Sequence, residues 1–201
     1  MQGARLSLPV WLAIGGVVGM ALNQAVATSF LQNIGLARGF GEGRVQAVLM
    51  TLGLLALVPG PLALYLRGRV STRAVLVGGP VLQFVLVLLI SGSPVFWPYA
   101  VAGALSTSVQ IFMHTFAFGF LAQQDPSGRA AAATPAMLMM GSALGPFLAG
   151  SVVASHGYSA LGYLVGVIAA VSVVCYAGAT ARRQPAAVGE VSAAGASPGR
   201  P

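Results

Sequence analysis

The chain has 201 residues, of which 57% are hydrophobic and only 6% are charged, whereas an average soluble domain has about 25% charged residues. This balance, with a mean hydropathy of +0.86, excludes a water-soluble fold and indicates an integral membrane protein. The net charge of +7 comes from arginines scattered singly between apolar runs, a pattern that does not fit a nucleic-acid-binding surface.

The apolar runs predict membrane-spanning helices. A spanning helix needs about 20 apolar residues, so the chain has room for roughly six. A β-barrel would need segments of about ten residues with alternating apolar and polar side chains, and the continuous apolar runs here do not alternate. The sequence therefore predicts an all-α fold, a polytopic membrane helix bundle of six transmembrane helices.

Charges and turn residues divide the chain into six apolar segments. The predicted segments are 8–33, 45–66, 73–91, 95–122, 130–155 and 158–181. The breaks between them are rich in Gly, Ser, Pro and Arg, which mark turns and membrane surfaces. Residues 1–183 are predicted to form one six-helix transmembrane domain. Residues 184–201, rich in Pro, Ala, Gly and Ser, are predicted to be a disordered cytoplasmic tail.

The distribution of arginines predicts that both termini are cytoplasmic and that the chain is a multi-pass protein of the cell (inner) membrane. Only Arg38 and Arg44 would then lie outside. The arginines on the cytoplasmic side would be Arg5, Arg67, Arg69, Arg73, Arg129, Arg182, Arg183 and Arg200. Residues 1–27 imitate a cleavable signal peptide, but this apolar run is longer than a usual signal core, which favours a retained helix.

An internal repeat relates the two halves of the chain at an offset of 85 residues. The dipeptides Gly43-Arg44 and Gly128-Arg129 open the second and fifth segments, and a Gly-Pro pair follows 17 residues after each glycine, at 60–61 and 145–146. A unit of three spans ends on the opposite side of the membrane from the side on which it begins. The second of two such units is therefore inverted relative to the first. The sequence therefore predicts two inverted three-helix repeats, which are typical of secondary transporters.

Two parts of the sequence resemble the major facilitator superfamily. Residues 125–129 (DPSGR), leading into residues 141–150, resemble the region from the tenth to the eleventh helix of that family, and the loop at 67–73 resembles its short basic cytoplasmic loop. The resemblance covers residues 5–183. It implies the C-terminal six-helix half of a permease that moves a small solute by alternating access.

The chain departs from this family in size, because a standard member has two six-helix halves around a central cavity. A six-crossing unit begins and ends on the same side of the membrane, so two copies insert in parallel and a homodimer could rebuild the cavity. The alternatives are a separately encoded N-terminal half or a truncated reading frame. The basic loop also lacks the Asp of the family's fuller motif, which puts a loop-based gate in doubt.

Polar side chains inside the apolar segments are few, and they are the candidate substrate-binding residues. Asn23 and Gln24 lie in the first segment, and Gln110 and His114 lie in the fourth. The resemblance implies that these segments line the central cavity. The alternative is that the four side chains only link helices. Proton coupling, if this half carries it, would have to use His114. The resemblance implies that Gln83 lies at the lipid periphery, where it is expected to make a helix contact.

The resemblance further implies a cytoplasmic gate between the halves. Its residues would be Arg67, Arg69, Arg73, Asp125 and Arg129. A solvated Asp125–Arg129 pair with no gating role is the alternative. Ser127 is predicted to cap the N-terminus of the fifth helix.

No catalytic, cofactor or metal site is predicted. The chain has two His and one Cys and lacks a phosphate-binding loop or an ATP-binding domain. The predicted partners are the lipid bilayer, a small-molecule substrate and a second half, without nucleic acid. Two rival functions are a non-transporting truncated membrane fragment and, less favoured, an intramembrane hydrolase, for which Ser159 beside His156 would be poorly arranged.

Overall fold

The structure, a computed structural model, describes residues 6–181. Within that range the chain forms α-helices joined by short loops, with a single 3₁₀ turn at Tyr158–Ala160. The α-helices are α1 (Leu8–Ala37), α2 (Glu42–Leu55), α3 (Pro59–Leu66), α4 (Thr72–Gly92), α5 (Phe96–Gln124), α6 (Arg129–Ala132), α7 (Thr134–His156) and α8 (Leu161–Ala181). The predicted tail at 184–201 and the arginines at 5, 182, 183 and 200 lie outside the described residues.

Six helical spans are long and apolar enough to cross a membrane. They are span 1 (Leu8–Ala37), span 2 (Glu42–Leu66), span 3 (Thr72–Gly92), span 4 (Phe96–Gln124), span 5 (Arg129–His156) and span 6 (Tyr158–Ala181). The six predicted apolar segments therefore correspond to six helical spans, and the prediction of an all-helical, multi-pass architecture is confirmed.

Spans 2 and 5 are each interrupted near a proline, within the predicted segments 45–66 and 130–155. Span 2 is broken at residues 56–58, and Pro59 begins α3. Span 5 is broken at Ala133, and Pro135 lies in the first turn of α7. Proline has no N–H to donate and its ring clashes with the carbonyl four residues earlier, so a helix restarts at proline more readily than it continues through it.

Helix α1 lies at the centre of the bundle, in contact with α5, α7 and α8. Small residues allow these close approaches. A Cβ atom on Gly16 would lie 2.6 Å from the ring of Tyr176 in α8, and one on Gly141 would lie 2.6 Å from the carbonyl carbon of Ala21 in α1. Both glycines are therefore required by the packing of neighbouring helices.

Apolar side chains fill the bundle in two clusters, one toward each end. The first cluster includes Val10 and Leu76, near the starts of α1 and α4, with Leu121 near the end of α5. The second includes Ile90 near the end of α4 and Tyr99 near the start of α5. The Tyr99 hydroxyl donates to the carbonyl of Leu31 at 2.8 Å. The polar side chains of the spans lie between these clusters, near the middle of their helices.

The charged loops are separated between the two ends of the bundle. The loops at 67–73 and 125–129 lie at one end, where Arg73, Gln124 and Thr180 line a common cavity. At the other end the Arg38 guanidinium donates to the carbonyl of Ser91 at 2.8 Å, and that of Arg44 lies 5.6 Å from the ring centre of Phe96. The assignment of one end to the cytoplasm remains a prediction.

Candidate functional site

An open cavity of about 330 Å³ lies between α1, α5 and α7, on the outer face of the bundle. Its lining residues are Ala21, Gln24, Ala25, Thr28, Ser29, His114, Leu138, Ser142 and Pro146. Five of these side chains carry polar groups, although the cavity lies at the level of helix centres, where the bilayer would be most apolar. Polar groups at that depth are costly unless they bond one another or face water.

A chain of hydrogen bonds connects the cavity wall with the bundle interior. The Gln24 amide nitrogen donates to the Thr107 hydroxyl of α5 at 2.9 Å, and the Gln83 amide nitrogen of α4 donates to the Gln24 amide oxygen at 3.3 Å. Gln24 thus links three spans while one side of it lines the cavity. A movement of Gln24 toward a ligand would have to break or rearrange these bonds.

The hydrogen bonds of Gln110 determine the state of His114. The Gln110 amide nitrogen lies 2.9 Å from the carbonyl of Met20, and a carbonyl can only accept, so this amide orientation is fixed. The same nitrogen lies 3.0 Å from His114 Nε2. Because an amide nitrogen can only donate, Nε2 must accept. His114 is therefore a neutral imidazole in this arrangement, with its hydrogen on Nδ1.

The four predicted substrate-binding residues occupy two layers. Gln24 and His114 line the cavity, whereas Asn23 and Gln110 are only 1% and 2% exposed and lie behind it. Both polar atoms of the Asn23 side chain and the amide oxygen of Gln110 are buried without a hydrogen-bond partner. Such atoms destabilise a bundle in this state, so this layer could gain bonds when the helices rearrange.

The expectation that Gln83 makes a helix contact is confirmed, but its expected place was wrong. It was placed at the lipid periphery, but it is 1% exposed and bonds to Gln24 inside the bundle. Its burial follows from its place on the face of α4 that packs against α1. The available sequence signal was that Gln83 is the only amide side chain of its apolar segment. The hydroxyls of Thr28, Ser29 and Ser142 were not among the predicted ligands, although Thr28 follows Gln24 by four residues and therefore shares its helix face.

The predicted gate residues lie together at one end of the bundle. Arg67, Arg69 and Arg73 are exposed, and the Arg69 guanidinium stacks on the ring of Tyr65 at 4.3 Å. Asp125 is buried within its own loop. Its hydrogen bonds give it a structural role at the start of span 5.

Asp125, rather than Ser127, caps the start of span 5, so the predicted Ser127 cap was wrong. The Asp125 carboxylate accepts the Ala130 N–H at 2.7 Å, the Ser127 hydroxyl at 2.5 Å and the Ser127 N–H at 3.1 Å. These bonds, led by that from the Ser127 hydroxyl and assisted by the charge of Arg129, hold the pKa of Asp125 below its usual value.

Asp125→Asn is expected to destabilise the chain more at neutral pH than at strongly acidic pH. A carboxylate whose pKa is lowered by folding stabilises the folded state above its ordinary pKa of about 4, and this contribution is lost as the pH falls through the lowered value. Thermal unfolding in detergent at pH 7 and pH 2.5 measures it. Glu42→Gln is the control, because no hydrogen bond to the exposed Glu42 side chain occurs in residues 6–181. Equal destabilisation by Asp125→Asn at both pH values would contradict this role.

Within residues 6–181 no three His, Cys, Asp or Glu side chains are grouped as metal ligands. His156, at the end of α7, has its Nδ1 2.8 Å from the hydroxyl of Ser155.

Comparisons of the chain with protein-family models, with curated proteins and with solved structures found no match.

Proposed function

We propose that the chain is one half of a secondary active transporter of the major facilitator type, a permease that moves a small solute by alternating access. The observation that carries the proposal is the cavity at mid-span, where Gln24 and Thr28 of span 1 meet His114 of span 4 and Ser142 of span 5. Polar groups from three spans at this depth can form hydrogen bonds with a solute and so replace those that the solute makes with water.

Two inverted three-helix repeats form part of the proposal, and the order of helix contacts supports them. Span 1 packs against spans 5 and 6, and span 4 packs against spans 2 and 3. If span 1 is exchanged with span 4, span 2 with span 5 and span 3 with span 6, the contacts of span 1 become the contacts of span 4. The remaining large contacts, between spans 1 and 4 and between spans 3 and 6, are unchanged by this exchange. Inverted repeats of this kind occur in many secondary transporters.

The bonds of two glutamines follow the same exchange. Gln24 of span 1 donates to Thr107 of span 4, and Gln110 of span 4 donates to Met20 of span 1. Gln24 and Gln110 are 86 residues apart, and Met20 and Thr107 are 87 apart, within two residues of the offset of 85 in the sequence repeat. This correspondence supports a common origin of the two polar faces at the middle of the bundle.

A second six-span unit is needed to enclose the cavity, because its outer side is open. Spans 2 and 5 are the least buried, with 17% and 22% of their most apolar windows inside the bundle, against 56% for span 1. Span 5 forms one wall of the cavity, and the exposed faces of both spans offer surface on which a second unit would pack. That unit is a second copy of this chain or a separately encoded N-terminal half.

Reconstitution of the purified chain in liposomes tests the transport function. We expect saturable uptake of at least one compound from a panel of labelled sugars, amino acids, organic acids and organic cations. Cross-linking of the reconstituted chain measures whether it is a dimer. Uptake no greater than in protein-free liposomes for every compound, by chain shown to be inserted and dimeric, would overturn the proposal and favour the non-transporting membrane fragment.

A further inference from the structure

We infer that the cavity selects a small, uncharged solute that donates several hydrogen bonds, with polyols as the chemical class, and that it discriminates against ions. This inference rests on the proposed transport function and specifies its substrate class. It follows from three features of the cavity wall: the positions of the charged side chains, the state of His114, and the direction of the hydroxyl bonds.

Formal charge is absent from the cavity wall. Within residues 6–181 every Arg, Asp and Glu lies in a loop, in the first turn or two of a span, or just after its end, and none lines the cavity. These residues are Arg38, Glu42, Arg44, Arg67, Arg69, Arg73, Asp125 and Arg129. An ion that leaves water for this wall would lose its hydration without gaining a counter-charge, which is strongly unfavourable. A neutral solute does not have this cost.

The imidazole of His114 does not supply a positive charge in this arrangement. Its Nε2 accepts from the Gln110 amide, whose orientation is held by the Met20 carbonyl. Protonation of Nε2 would place two donors against each other. The neutral ring therefore offers a donor, Nδ1–H, and a carboxylate solute would meet no cation in the wall.

The hydroxyls of α1 present acceptors to the cavity. Thr28 donates its hydrogen to the carbonyl of Gln24 at 2.9 Å, and Ser29 donates to the carbonyl of Ala25 at 2.6 Å. The lone pairs of both oxygens remain for a ligand, which must then donate. The Ser142 hydroxyl on α7 makes no hydrogen bond within the described part of the chain, so it can donate or accept. Hydroxyl groups of a solute do both and match this wall.

The cavity beside this chain is large enough for a small solute, and a second unit would enlarge it. Its volume of about 330 Å³ lies at the low end of the range of about 300–1,000 Å³ that is typical of ligand pockets. A second copy of the chain would contribute an identical wall, also without charge among the described residues. A homodimer would therefore keep the preference for neutral solutes.

Uptake of three solutes that share a carbon chain tests the inference. Sorbitol, gluconate and glucamine differ at one end, which is neutral, anionic or cationic, and the corresponding five-carbon series extends the set. In proteoliposomes held at neutral pH without a membrane potential, we expect uptake of at least one neutral member to exceed that of its acid and its amine by about tenfold or more. Faster uptake of an acid or an amine would overturn the inference.

A charge placed in the cavity should change this selectivity. Ser142→Asp adds an anion to the wall and is expected to raise the ratio of amine to polyol uptake by about tenfold, whereas Ser155→Asp, exposed near the end of the same helix, should leave the ratio unchanged. An unchanged ratio in a folded Ser142→Asp chain would also overturn the inference. If no polyol series is taken up but another compound of the wider panel is, only the substrate class fails. If the inserted dimer takes up nothing, the transport function itself fails.

Discussion

Gly141→Ala is expected to destabilise the folded chain by about 1–3 kcal/mol, the usual cost of overpacking. A Cβ on Gly141 would lie 2.6 Å from the carbonyl carbon of Ala21 and 2.8 Å from the backbone nitrogen of Leu22. Backbone atoms of a packed helix cannot rotate aside as a flexible side chain can, so α1 and α7 would have to separate. The free energy of unfolding in mixed detergent micelles measures the effect.

Gly78→Ala is the matched control and should change stability in the opposite direction. Gly78 lies inside α4, and a Cβ there would meet no atom within 4 Å. Replacing an unconstrained helical glycine by alanine stabilises a helix by about 0.5–1 kcal/mol, because glycine loses more backbone freedom on folding. Equal effects of the two substitutions would contradict the close contact between α1 and α7.

The same contact affects the cavity, because α1 and α7 form two of its walls. Ala21 and Ala25 line the cavity, and these two residues are also the ones that Gly141 and Gly145 approach. Separation of the helices would therefore move Gln24 and Thr28 away from Ser142. A Gly141→Ala chain that still folds should show weaker solute uptake, in addition to its lower stability.

The sequence predicted the spans well because charge decides which residues leave the membrane. Single arginines and turn residues at positions such as Arg38, Arg44 and Arg73 mark span ends, and the helices end within a few residues of them. The interruption at residues 56–58 is not marked by charge, since those residues are apolar. Only Pro59 and Pro61 indicate a break there, and proline in a membrane helix can produce either a kink or a restart.

The packing faces could not be predicted from the sequence. The spans are apolar on nearly every side, so periodicity does not show which face lies inside, as it does in a soluble amphipathic helix. Gln83 could face lipid or its neighbours by sequence alone, and only the contact of α4 with α1 decides between them. The layering of Asn23 behind Gln24 likewise depends on how the helices rotate about their axes.

The cap of span 5 was missed for a local reason. Ser127 is at a suitable distance before the helix and has a typical capping side chain, but Gly128 adopts a left-handed conformation (φ 73°) at the N-cap position. That turn brings Asp125 to the Ala130 N–H and directs the Ser127 hydroxyl to the carboxylate. A carboxylate is also the stronger acceptor at a helix N-terminus.

Gln110→Met is expected to reduce solute uptake by about tenfold or more, because the loss of one donor to a buried partner typically costs about 1–3 kcal/mol. Methionine keeps the length of the side chain but removes the donor to His114 Nε2 and to the Met20 carbonyl. The imidazole would then be free to change its tautomer and orientation. Initial uptake rates over a range of solute concentrations measure the loss, and Gln123→Met, exposed near the end of α5, is the control.

A double substitution separates a role through His114 from a role in stability alone. If Gln110 acts by holding the imidazole, then His114→Phe removes the group that it holds, and Gln110→Met should add little further loss of uptake to His114→Phe. If Gln110 serves only as a bond between α1 and α5, the two losses should add, and the loss of uptake should follow the loss of folded protein measured by unfolding. Additive losses of uptake would therefore contradict the positioning of His114 by Gln110, whereas a double variant equal to His114→Phe would support it.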